Sequence, residues 1–195
     1  MPATLFDSWA TEFATHLQER DTAVPLKEAA IAGKLADWMA CLTTAVVRCC
    51  EGLGWRACGK GHRLDVLPQA GQEYLGMDVM AFAGSPSVRW PLPLAAFELE
   101  NSPSDDRVAY SLWKVLCLRV GLRVVFAYRP DWERSRELVS VLTKSVVGSL
   151  SVDERSAIAG QTVVAVGNRG EGATFPDGYF KFWMLDPNLG RFEKV

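Results

Sequence analysis

The sequence predicts an α/β fold, a central mixed β-sheet flanked by helices, and three observations carry that reading. Residues 5–51 show helical spacing of apolar side chains and no strand signal. Three strand-like segments then follow one another between residues 55 and 100, an order that asks for antiparallel pairing. A helix pattern over 103–120 separates the apolar segments 94–100 and 122–128. A strand–helix–strand crossover of that length makes those two strands parallel neighbours.

Each element has a local reason. Leu5, Trp9, Phe13 and Leu17 recur every four residues and predict a helix over 5–20. Pro25 interrupts. An Ala-rich pattern carrying Leu35, Trp38, Met39, Leu42 and Val46 predicts a second helix from Lys27 to Glu51, ended by the glycines of "EGLGW". Strand character starts at Trp55. The segment "EYLGMDVMAF" (73–82) reads as a strand, apolar on both faces except for Asp78. Gly84 and Pro86 mark the turn after it, and Pro91 and Pro93 lead into "LAAFELE" (94–100). Ser102 as N-cap, Pro103 at the first helical position and Asp105 as the capping acid open a helix to about Val120, stopped by Gly121. "LRVVFAY" (122–128) is the next strand, and 131–147 another helix. A capping box from Ser151 to Glu154 opens a short helix that Gly160 ends; "TVVAV" (162–166) and "YFKFWML" (179–185) are the last strands. No repeat, low-complexity tract or linker interrupts the chain, so 1–195 reads as one domain.

Composition narrows the function classes. With 49% hydrophobic and 23% charged residues the chain can bury a core. A net charge of −2 gives no global basic field of the kind that coats nucleic acid, although a local basic surface is compatible with it. Cys41, Cys49, Cys50, Cys58 and Cys117 sit in apolar surroundings and form no CxxC pair, and His16 and His62 stand at no metal-ligand spacing to them. Free thiols in a reducing compartment are expected, and no zinc site. The start lacks a basic segment followed by an apolar one, and no apolar run approaches the roughly 20 residues that span a bilayer. A cytoplasmic protein without membrane contact is the expectation.

The chemistry concentrates in the carboxylates. Side chains alternate across a strand, so Glu98 and Glu100 share a face with Ala96. Asp78 shares one with Tyr74, Met80 and Phe82. If the two strands pair as neighbours, Asp78, Glu98 and Glu100 converge. Like charges at that range repel unless one takes a proton or a cation bridges them, and Mg²⁺ is a hard ion suited to carboxylates. The alternative is that Glu98 and Glu100 line the solvent face of a half-buried strand.

The order of elements together with these acids resembles the PD-(D/E)XK nuclease superfamily, with its restriction-endonuclease-like αβββαβ core. "GMDVMAF" resembles the second strand of that core, with its Asp at Asp78, and "AAFELEN" the third, with Glu98 in the (D/E) position. The resemblance covers about residues 30–128, leaving 1–29 as a helical extension and 129–195 as helix and strand additions. Glu100 occupies the position of the motif lysine, an E-x-E variant. In such variants the helix after the third strand supplies the cation, which makes Lys114 of "SLWKVLCL" the migrated lysine. On a helical wheel anchored by Leu116, however, Lys114 falls nearly opposite the sheet, as a solvated charge. The resemblance implies hydrolysis of nucleic acid, DNA above all, with Mg²⁺ or Mn²⁺. Asp78, Glu98 and Glu100 would be the metal and catalytic acids, with Lys114 stabilising the transition state. An acid on the first helix, Asp37 or Glu51, adds an outer ligand in many relatives. A non-catalytic α/β module using the same scaffold to bind a protein or nucleic acid is the rival reading, and the expected partners are DNA, a second copy in a homodimer or another protein.

The remaining signals are weaker. "GNRGEG" (167–172) lacks the Lys-Ser/Thr pair of a phosphate loop and reads as a turn. Arg107, Arg119, Arg123, Arg129, Arg134 and Arg136 cluster around the fourth strand and could track a phosphate backbone, but with Asp105, Asp106, Asp131 and Glu133 among them they read as surface ion pairs. Trp90, Trp113 and Trp132 are candidates for base stacking, with core packing expected for most of the seven tryptophans. Two histidines in the first third support no Ser-His-Asp or Cys-His hydrolase.

Overall fold

Helical spacing in the N-terminal third produces three helices rather than two in the computed structural model, which describes residues 3–68, 71–85 and 89–195. The turn predicted at Pro86 lies outside the described residues. Helix α1 (Leu5–Gln18) is closed by a capping box between Thr4 and Asp7, each taking the other's amide. The helix expected over 27–51 is split into α2 (Arg20–Ala32) and α3 (Leu35–Gly52). Gly33 divides them, at φ 64 in a left-handed C-cap. Pro25 lies inside α2 instead of interrupting it. One missing amide costs a helix a single hydrogen bond, and the burial of Leu26 and Ala29 offsets it, whereas a left-handed residue turns the chain away from the helix axis.

Among the described residues seven strands form one sheet in sequence order. They are β1 (Arg56–Gly59), β2 (Val79–Phe82), β3 (Ala95–Leu99), β4 (Leu122–Arg129), β5 (Gln161–Asn168), β6 (Phe180–Asp186) and β7 (Arg191–Lys194). β1–β2–β3 and β5–β6–β7 pair antiparallel, while β3–β4–β5 are parallel. The parallel pairs are bridged by α4 (Asp105–Leu116) and then by α5 (Trp132–Ser145) with the short α6 (Val152–Ser156). The run α3–β1–β2–β3–α4–β4 has the helix, three strands, helix, strand order that the resemblance implies.

Several boundaries differ from expectation. The strand over 73–82 is cut short, because 74–76 form a 3₁₀ turn with Leu75 at φ 55 and Gly76 at φ 68. α4 starts at Asp105 rather than Pro103 and stops at Leu116, short of Val120. Ser102 does not cap it; its hydroxyl accepts the Ser104 amide at 3.1 Å and shapes the approach to the helix. "GNRGEG" runs into a 3₁₀ segment over 169–174. β7 was not anticipated, because only Phe192 of its four residues is buried and no alternation marks it.

The two layers differ in chemistry. α1–α3 cover one face with aromatic rings. Trp9 stacks on Phe13 at 4.9 Å, and the pair packs on Phe97 and Phe126 of β3 and β4. α4 and α5 cover the other face with Leu112, Val115, Leu138 and Leu142 over Met80, Ala96, Val125 and Ala127. Strands covered on both sides read as continuous apolar runs, and every residue of β3 and β4 is buried. Cys49, Cys50 and Cys58 are buried as expected, but Cys117, at the end of α4, is exposed. Trp9, Trp38 and Trp183 are buried, whereas Trp90 and Trp113 are exposed. Among the described residues no helix is long and apolar enough to cross a membrane.

Two of the six arginines expected at the surface are buried. Arg129 pairs with Asp105 at the start of α4. Arg123, 2% exposed, donates to the carbonyls of Val115 at 3.0 Å, Ala159 at 2.7 Å and Leu118 at 2.5 Å. The guanidinium fork thus ties the end of α4 and the approach to β5 to the start of β4. A lysine cannot reach three carbonyls in those directions. Arg123→Lys should therefore lower stability by about 2–4 kcal/mol, read as a lower urea midpoint with unchanged slope.

Candidate active site

Glu98 sits on the fully covered strand β3, on the side of the sheet that faces α4, and is only 5% exposed. An ionised carboxylate there costs several kcal/mol unless a cation meets it. Lys114 is that cation, with its Nζ 2.8 Å from Glu98 Oε1. The same ammonium donates to the carbonyl of Gly76 at 2.8 Å. One side chain of α4 thus holds both β3 and the turn that enters β2.

This position corrects the helical-wheel reading of Lys114. The buried face of α4 is Val108, Ser111, Leu112 and Val115, while Tyr110 and Trp113 are exposed. Leu116 is only half-buried and stands about a quarter-turn from the centre of the buried face. Lys114 flanks the buried face, and its four-carbon stem carries the ammonium inward.

Asp78 arrives from the neighbouring strand. Continuing the Val79–Phe97 and Met80–Ala96 register by one residue sets Asp78 across from Glu98. Its Oδ2 accepts the Leu99 amide at 2.7 Å. The approach is tight: a Cβ on Gly59 of β1 would stand 2.7 Å from the Asp78 carbonyl oxygen. Glu100 does not join this pair. It lies past the end of β3, where its Oε1 accepts the Ser102 amide at 2.7 Å. The three carboxylates therefore do not converge: the Glu100 amide still donates to the Phe126 carbonyl of β4 at 3.1 Å, while its side chain turns to the Ser102 amide. Among the described residues no three histidine, cysteine or acidic side chains are grouped as metal ligands. The donor set is two carboxylates, Asp78 and Glu98. That set fits Mg²⁺, which takes one or two carboxylates and keeps several waters.

The electrostatics follow from the packing. Burial pushes the Glu98 carboxyl up to about 7; the Lys114 ammonium opposes this, the Asp78 charge adds to it, and a Ser111 hydrogen bond opposes it. Both protonation states of Glu98 are thus accessible near neutral pH.

A cleft of about 680 Å³ opens beside Asp78, between α3 and the connection from β1 to β2. Thr43 and Thr44 of α3 line it together with Lys60, His62 and Glu73. The His62 Nε2 and the Thr44 hydroxyl are 3.1 Å apart, which orients the imidazole. Sequence spacing alone did not find His62, since its neighbours come from α3 and β2. The local signal was "GKGH", where Gly59 and His62 pair across a tight turn. Asp37 is exposed on α3, as is Glu51 at its end, and neither lines the cleft.

No protein-family model matches the sequence, and no curated protein matches it. Among solved structures, the chain is similar to NucC of E. coli MS115-1 in its cAAA-bound form, at 12% identity and a TM-score of 0.47, covering 100% of this chain and 84% of that one.

The raised carboxyl makes a pH prediction. Glu98 goes from an ordinary value of 4.5 to about 7 on folding, so the folded chain holds the proton more tightly. Its contribution to stability is full below 4.5 and is lost as pH rises through about 7. Glu98→Gln, which imitates the neutral form, should fall less in stability between pH 5 and 8 than the native chain, measured by urea unfolding in EDTA. Lys114→Met should push the Glu98 carboxyl further up, visible as a later carboxyl titration by NMR.

Proposed function

We propose that the chain is a metal-dependent phosphodiesterase acting on DNA, of the PD-(D/E)XK type. The observation that carries the reading is Lys114. A lysine supplied by the helix after the third strand meets a buried glutamate on that strand, with an aspartate from the second strand opposite. A buried carboxylate with a half-buried one opposite is unfavourable unless something positive sits there, and such arrangements cluster at functional sites. The αβββαβ order of elements supports the same reading.

The roles follow from the positions. Asp78 and Glu98 would hold Mg²⁺ or Mn²⁺, which when bound supplies Lewis-acid polarisation of a phosphoryl oxygen and lowers the pKa of a coordinated water. Lys114 neutralises Glu98 in the resting chain and offers its ammonium to a phosphate oxygen as negative charge develops. The Leu99 amide fixes the Asp78 carboxylate in its rotamer, so the acid reaches the site without reorganisation. The cleft lined by Lys60, His62 and Thr44 gives the phosphodiester a place to lie beside Asp78. Glu100, held by Ser102, is a turn residue in this scheme and not a ligand.

A second reading, a non-catalytic module that binds a protein or nucleic acid, is favoured by one observation: each acid already has an internal partner, Glu98 in Lys114, Asp78 in Leu99 and Glu100 in Ser102. Plasmid nicking with Mg²⁺ or Mn²⁺ separates the two. Asp78→Asn and Glu98→Gln should each abolish nicking, Lys114→Met should lower it by about 10²-fold, and Glu100→Gln should leave it within a few-fold. Nicking that survives both Asp78→Asn and Glu98→Gln, or a native chain that neither nicks nor gains melting temperature with Mn²⁺, would replace the enzyme reading by the binding one.

A further inference from the structure

The outer edge of the α4–α5 layer carries a second feature, away from the acids. A groove of about 290 Å³ runs between α5 and the β6–β7 hairpin, with Arg136 and Lys144 on the helix wall and Lys194 on the strand wall. Its floor is Val139, Trp183 and Phe192. Lys181 lies two residues before Trp183 on the same strand face, and its ammonium sits 3.5 Å from the centre of the Trp132 ring. Three cations from two elements therefore line the channel and a fourth, Lys181 of β6, stands beside it, in a chain whose net charge is −2.

None of the four is ion-paired among the described residues. Three of the acids near the cluster are otherwise engaged, and Glu133, one turn before Arg136 on α5, is exposed. Glu137 pairs with Arg134 at 2.8 Å, Glu193 with Arg191 at 2.7 Å, and Glu171 takes the Trp132 indole hydrogen at 2.9 Å. Burial and the neighbouring charges of Lys194 and Arg136 hold Lys181 below the usual lysine range, against the pull of Glu171. Unpaired like charges held this close repel each other, so the cluster is suited to an anionic partner.

The spacing selects the class of anion. Arg136 and Lys144 are eight residues apart on α5, about 12 Å along the helix axis. That is the axial rise of three to four phosphates of one strand, at roughly 3.4 Å each. The floor residues Trp183 and Phe192 are 7% and 8% exposed, so no apolar side chain of the floor stands out to enter a bilayer. We propose that the groove between α5 and the β6–β7 hairpin docks the phosphodiester backbone of a nucleic acid. This docking does not depend on cleavage at Asp78 and Glu98.

Fluorescence anisotropy of a labelled DNA duplex, in EDTA so that no metal-dependent cutting occurs, tests the assignment. Between about 50 and 200 mM salt the affinity should fall with a log–log slope of about −3 to −4, as four neutralised phosphates require. Lys144→Glu/Lys194→Glu should weaken binding at least tenfold and flatten the slope by about two, with an unchanged melting temperature, since both side chains are exposed. Arg20→Glu/Lys34→Glu, the same charge change at exposed positions of the α1–α3 layer, should leave binding within about twofold. Absence of binding at 50 mM salt, or equal loss in the two double variants, overturns the proposal. So does capture by phosphatidylserine vesicles that Lys144→Glu/Lys194→Glu abolishes while DNA affinity is unchanged. Intact binding without nicking would instead sink the catalytic reading and leave the groove standing.

Discussion

The pairing of Glu98 with Lys114 is the constraint on which the arrangement of the central elements turns. β3 lies between two helical layers, so a carboxylate on its α4 face has no water to meet it. The ammonium that answers it comes from a half-buried position on α4 and also takes the carbonyl of Gly76. That bond fixes the 74–76 turn, with Leu75 held at a positive φ that side chains other than glycine's seldom adopt. The turn in turn delivers Asp78 opposite Glu98. A buried ion pair gains little net stability over an apolar pair of similar shape. Its presence in an otherwise apolar layer is therefore not accounted for by net stability alone.

The mixed sheet decides where this happens. Asp78 precedes β2 and Glu98 is the penultimate residue of β3, so the pair stands toward the carboxyl ends of the parallel strands, where α/β sheets commonly place ligands. The same end carries the Arg129–Asp105 pair and the contact between Arg169 and Asn101. The cationic groove occupies the far side of β5, where the antiparallel β6–β7 hairpin extends the sheet past α5. Acid and base are thus segregated within a chain of nearly balanced charge, and the hairpin that lies outside the resemblance supplies half of the basic surface.

Much of the fold was legible because its signals are local. The long apolar runs of β4 and β5, the Ser151–Glu154 capping box and the crossover through α4 need only propensity and spacing, and all are present. The misses have physical causes. Gly33, not Pro25, breaks the second helix, because a left-handed residue ends a helix more firmly than one absent amide. β7 carries no alternation and exists by pairing with β6. Arg123 reads as one of a run of surface arginines in sequence, yet three carbonyls brought from separate segments draw it inside.

The candidate site divides along the same line. Sequence by itself determined that Asp78 and Glu98 belong to successive strand-like segments with a lysine-bearing helix to follow, because strand alternation and crossover length are properties of short segments, while the pairing of those segments came from the structure. Only the tertiary structure decided that Lys114 turns toward Glu98, that Glu100 turns away, and that His62 lines the cleft beside Asp78. Those outcomes depend on the rotation of α4 against the sheet and on the path of the chain past Leu99. Both are set by the packing of side chains distant in sequence, Ser111 and Val115 on the helix and Met80 and Ala96 beneath it, which no local pattern encodes.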